Sequence, residues 1–76
     1  MDLESFSIDQ QIKVQGKSSK GKNRIMEHGD IWRVKNKWKK GHFPWIEEDS
    51  VLLESLTDKV TSIDVQIIED KHFELV

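Results

Sequence analysis

The chain has 76 residues, of which 36% are hydrophobic and 34% charged, with a net charge of −2 and no cysteine. That length allows one domain with a modest core and leaves little volume for a buried catalytic centre with supporting shells. The composition excludes disulfide staples and thiolate metal sites, no run approaches the ~18 apolar residues of a membrane span, and the acidic start lacks the apolar stretch of a signal peptide.

The small net charge conceals an asymmetry. Residues 1–12 carry Asp2, Glu4 and Asp9 and no base. Residues 13–40 carry ten Lys or Arg against Glu27 and Asp30, a balance of +8. Residues 41–76 carry Lys59 and Lys71 against nine acids, a balance of −7. A basic segment of this density suits a polyanionic partner. The alternative is that the acidic segment neutralises it within the fold.

At the start, Phe6, Ile8, Ile12 and Val14 share one parity, which is one face of an extended strand. Asp2 to Phe6 can instead open a short helix, so the first residues are expected as a strand or as a flexible or short helical arm. Gly16 to Asn23 holds two Gly, two Ser and three Lys but no apolar residue, and reads as a basic loop with nothing to place in a core. It approaches a phosphate-binding loop, with Gly16, four residues, Gly21 and Lys22. Asn23 stands where Ser or Thr must hold Mg²⁺, and the chain is too short for the parallel sheet that motif needs.

Arg24 to Gly29 reads as a turn-rich piece closed by glycine. Asp30 to Trp38 is the clearest strand: Trp32, Val34 and Trp38 fall on one face, and Arg33, Lys35, Lys37 and the following Lys39 on the other. Lys40 to Trp45 is a turn, because Pro44 removes a ladder donor. Glu47 to Ser50 is an acidic connector, and Val51 to Leu56 an apolar run of strand length. A turn over Thr57 to Lys59 leads to a strand from Val60 to Ile68, with Ile63, Val65 and Ile67 on one face. Glu69 to His72 turns the chain into a last strand, Phe73 to Val76.

Five short strands with turns between them, and no three-turn amphipathic pattern, predict an all-β fold. A small five-stranded barrel is expected because closure removes exposed edges. Within this single domain, residues 1–22 form the N-terminal strand or arm with the basic loop, and residues 23–76 the barrel core.

The run Gly29-Asp30-Ile31-Trp32-Arg33-Val34 resembles the Gly-x-x-Trp-x-Val strand opening of SH3-like small barrels. Val51 to Leu56 and Asp70 to Leu75 resemble their middle and closing strands, so the likeness spans 23–76. The compactness, dense charge and absence of cysteine are also similar to small tailed-bacteriophage proteins. That superfold hosts peptide binders, nucleic-acid binders and structural inserts, so the likeness does not select a function. The chain has no tyrosine, unlike the signalling SH3 domains. It therefore departs from their proline-rich peptide site.

If Trp32 and Val34 face the core, Arg33, Lys35, Lys37 and Lys39 form an outward row with heads about 7 Å apart. That scale suits the dense phosphate charge of a nucleic acid strand. Lys17, Lys20, Lys22 and Arg24 extend the row. Trp38, Phe43 and Trp45 surround the Lys39–His42 turn, where they can stack on unpaired bases or anchor a protein partner. The row can instead be a solvated face, and Trp38 a cap on the core.

His28, His42 and His72 lie in separate turns without ligand spacing, and Glu47, Glu48 and Asp49 lack the alternate spacing of a calcium loop. No nucleophile elbow is present. The expectation is a non-enzymatic binding module without cofactor, metal, small-molecule substrate or membrane contact. It resides in the cytoplasm, that of the host if the chain is viral. Its leading partner is nucleic acid, bound through Lys17, Lys20, Lys22, Arg24, Arg33, Lys35, Lys37, Lys39, Trp38 and Trp45. The alternative is a protein-interaction module, such as a phage-type adaptor or inhibitor of a host protein, that uses the acidic half and the exposed aromatics.

Overall fold

The computed structural model describes residues 2–58 and 61–76. Lys59 and Val60, where the third turn was expected to end and the fourth strand to begin, lie outside the described residues. A single 3-10 turn at Leu3–Ser5 precedes β1 (Gln11–Gly16), α1 (Ser19–His28), β2 (Ile31–Trp38), β3 (Ser50–Ser55), β4 (Ser62–Gln66) and β5 (Phe73–Leu75). The strands form one antiparallel sheet in the order β4-β3-β2-β1-β5.

The fold is therefore mostly sheet, as the alternating pattern predicted, with two departures. The sheet is not a closed barrel: among the described residues β4 pairs only with β3 and β5 only with β1. And the expected basic loop is a helix. Its apolar pattern is poor, so its ends and one glycine hold it instead. Ser18 Oγ accepts the Gly21 N–H at 3.0 Å as an N-cap. Gly29, with φ 88°, closes the helix through its N–H to the Ile25 carbonyl at 2.8 Å.

Ile25 of α1 packs against the core, and beside it the helix makes a close backbone-on-backbone contact. Gly21 is buried, and a Cβ there would lie 1.9 Å from the His72 carbonyl oxygen. A Cβ on Gly16 would lie 2.4 Å from the Lys22 nitrogen. The two glycines that imitate a phosphate loop are thus the seat of the helix on β1 and on the turn before β5.

The core gathers Ile12, Val14, Trp32, Val34, Val51, Leu53, Val65, Ile67 and Phe73. Leu3 and Phe6 join it from the N-terminal segment, whose 3-10 turn is capped by Asp2. The expected strand face from Phe6 to Val14 is divided: Ile12 and Val14 are in β1, Phe6 enters the core from the preceding turn, and Ile8 is exposed. Trp32 is fully buried and its indole N–H donates to the Gly29 carbonyl at 2.9 Å.

Gly21→Ala should be severely destabilising, by more than about 2 kcal/mol, because backbone cannot yield as a flexible side chain can. Gly41→Ala should cost only about 1 kcal/mol: its φ is 81° but nothing lies within 4 Å of the added Cβ. Urea unfolding of the two variants checks the order.

Candidate interaction surface

The surface begins with the register of β2. Val34 pairs with Leu53, but Asn36 pairs with Leu52, so Lys35 is an extra residue, a β-bulge. The bulge sits where β2 loses its second neighbour. Val34 donates to the Gln10 carbonyl at 2.8 Å and accepts from Asp9 N–H at 2.7 Å; there β1's side ends, with Asp9 at φ 72°. Beyond Val34, among the described residues, β2 pairs with β3 alone.

One extra residue reverses the face of every side chain after it. Lys37 now pairs with the fully buried Val51, on the core side, and its Nζ donates to the Phe6 carbonyl at 3.0 Å. Trp38 pairs with Ser50 on the outer side. This corrects two expectations: Trp38 does not share the face of Trp32 and Val34, and Lys37 does not share that of Arg33.

The cationic row consequently does not form. Arg33 reaches Asp9 (Nη1–Oδ1, 3.2 Å) and Glu54 (Nη2–Oε1, 3.2 Å), while Lys35 Nζ reaches the other Glu54 oxygen at 3.1 Å. Glu54 is buried, 6% exposed, at the centre of this fork. The Lys35 hydrogen bond, aided by the charges of Lys35 and Arg33 and by the Arg33 hydrogen bond, holds its carboxyl below the ordinary 4.5 against the opposing effect of burial. Lys39 remains exposed.

The cations expected to extend the row lie elsewhere. Lys17 Nζ donates to the Asp70 carbonyl at 2.9 Å. Lys20, Lys22 and Arg24 are exposed on α1, and among the described residues no ion pair involves them.

Trp38 roots an aromatic cluster in the loop between β2 and β3. Its ring centroid is 5.0 Å from His42 and 5.1 Å from Phe43, and Phe43 stacks on Trp45 at 4.7 Å with an interplanar angle of 7°. The loop is bonded to itself. Gly41 N–H donates to the Ile46 carbonyl at 2.9 Å, Ile46 N–H to Phe43 at 3.0 Å, and Lys40 N–H to Asp49 Oδ1 at 2.9 Å. Ile46 is buried beneath it, while Trp45 is 67% exposed. The same loop carries Lys39, Lys40, Glu47 and Glu48, all exposed.

Trp38, opposite Ser50, lies on the same side of the sheet as Asp64 of β4, which pairs with Leu52. Partial desolvation at the sheet surface raises the Asp64 pKa above its ordinary 3.8, and the nearby Trp38 indole works against that rise.

Ser18 Oγ lies 2.6 Å from His72 Nδ1, a contact that sequence spacing does not reveal. It is not arranged as a catalytic triad. Asp70 spends one oxygen on the Gln66 N–H and the other on the N–H groups of His72 and Phe73, so it does not orient the imidazole. Ser18 Oγ meanwhile serves as the helix cap. Among the described residues no three His, Asp or Glu side chains converge to hold a metal, and no helix is long and apolar enough to cross a membrane. Comparison with known protein families, characterised proteins and solved structures finds no match.

The two shifted carboxylates act in opposite senses on stability. Glu54, depressed, contributes stability above about pH 4.5 that is lost as pH falls through its folded value. Asp64, raised, contributes stability present below about pH 3.8 that is lost as pH rises through its folded value. Glu54→Gln should flatten the acid limb of a stability–pH curve and Asp64→Asn should steepen it, as read by thermal unfolding between about pH 3 and pH 6.

Proposed function

We propose that the chain is a non-enzymatic protein-interaction module whose anchor is the aromatic loop between β2 and β3. The observation that carries this reading is Trp45, exposed yet stacked flat on Phe43 in a loop braced by its own hydrogen bonds. An exposed tryptophan held in one orientation loses little entropy on binding. It offers one free ring face, the kind of group that dominates interface energies.

The local charge favours a protein over a nucleic acid. Lys39 and Lys40 are answered within the same loop by Glu47 and Glu48, and Lys40 Nζ lies 3.9 Å from Glu48. Arg33 and Lys35 are committed to Glu54. A phosphate strand laid on these rings would meet as many acids as bases, whereas a protein partner can match a mixed rim around an apolar centre.

Trp45→Ala should leave the fold intact, because Trp45 is exposed and outside the core cluster, and weaken binding to a partner by about 30-fold, near 2 kcal/mol. The test is chemical cross-linking with wild type and variant in parallel. One stoichiometric protein bound by the wild type and lost from the variant supports the reading. Retention on single-stranded DNA that falls with Lys39→Glu and Lys40→Glu, with no such protein, contradicts it.

A further inference from the structure

A cleft of about 200 Å³ separates α1 from β4. Lys20 and Arg24 form one wall, Ser62, Ile63 and Asp64 the other, and Phe73 contributes to the floor. Residues from both faces of β4 line it, since Ile63 packs toward the core while Ser62 and Asp64 are exposed. The cleft therefore lies at the strand's open edge.

The ladder shows which backbone groups reach that edge. Ser55 N–H donates to the Thr61 carbonyl and Ile67 N–H to the Asp49 carbonyl. In this register Ile63, Val65 and Ile67 turn their backbone groups toward β3, as does the Thr61 carbonyl. Ser62, Asp64 and Gln66 then turn theirs away. The Gln66 N–H is taken by Asp70 Oδ1 at 3.0 Å, which blunts that end. Ser62 and Asp64 are left to present N–H and C=O to the cleft.

Across it, Lys20 and Arg24 are one helical turn apart, on the same side of α1. The volume is below the ~300 Å³ at which pockets for drug-sized ligands begin. It suits a narrow main chain better than a folded ligand. An open edge asks for backbone, two cations ask for carboxylates, and Ile63 with Phe73 offers a small apolar contact.

We propose that this cleft receives an extended acidic segment of a partner protein, which adds as a strand to β4 and sets its carboxylates against Lys20 and Arg24. The proposal rests on the partner being a protein but not on Trp45. Strand addition draws its affinity from main-chain hydrogen bonds and its selectivity from the alternate side chains. Trp38 shares the outer side of the sheet with Asp64 of this edge and is in ring contact with Phe43 of the aromatic loop.

The test is an NMR titration of the isotope-labelled full chain with the peptide acetyl-Val-Glu-Val-Asp-Val-amide. Its counterpart with Lys at both acidic positions and a single-stranded oligonucleotide are titrated in parallel. Saturable shifts and slowed exchange at the Ser62 and Asp64 amides are expected with the acidic peptide alone. Affinity should fall about tenfold in the Lys20→Glu, Arg24→Glu double variant and hold in Trp45→Ala. Equal binding of the basic peptide, preference for the oligonucleotide, shifts confined to α1, or no saturable shift at millimolar peptide would each overturn the proposal. If the peptide fails while Trp45-dependent capture of a partner stands, only the cleft is lost; if Trp45→Ala captures the partner as wild type does and the peptide still docks, only the aromatic anchor is lost.

Discussion

The extra residue at Lys35 is the constraint on which the outer surface depends. Without it, β2 would place Trp38 under the sheet and Lys37 on top. With it, Trp38 turns outward to root the loop rings, and Lys37 turns inward to tie the Phe6 carbonyl across the end of the core. The bulge also leaves Arg33 and Lys35 on the same carboxylate, one to each oxygen of Glu54. A buried carboxylate so placed is costly unless it is fully paired, and two cations on adjacent outward positions supply the pairing. Charge that looked available to a ligand is committed inside the molecule.

A second constraint fixes the other side of the sheet. α1 has little apolar surface to bury; its close approach comes from Gly21 against the His72 carbonyl and from Gly16 beneath Lys22. That leaves the basic side chains of the helix on its outer faces. It also positions Lys20 and Arg24 opposite the edge of β4. The sheet stays open there, where a closed barrel would have paired its edges.

The five strands were legible because their period-two patterns and turn residues are local. The helix was not, because its determinants are a cap at Ser18 and a glycine whose partner, His72, is 51 positions away in sequence. Absence of apolar residues was a poor guide there, since glycine itself packs. The bulge was written only faintly: Asn36 is a residue that strands disfavour, and its Oδ1 accepts from the Lys37 N–H at 2.8 Å. Strict alternation from Trp32 to Trp38 passed over it, and so misplaced Lys37 and Trp38 together. The aromatic loop was legible from Trp38, Phe43 and Trp45 alone, although not its stacking. The pairing of Arg33 and Lys35 with Glu54 depends on β2–β3 register, which no local pattern encodes.

The layout of the outer surface therefore depends on the face that Trp38 takes. Proton NMR of the unmodified chain reads it directly, through nuclear Overhauser contacts of the Trp38 indole ring. Contacts to Asp64, Gln66 and the rings of His42 and Phe43, together with Lys37 contacts to Val51 and Phe6, are the predicted result. Trp38 contacts to Val51 and Val65, with Lys37 free in solvent, would show an unbroken strand and contradict the account.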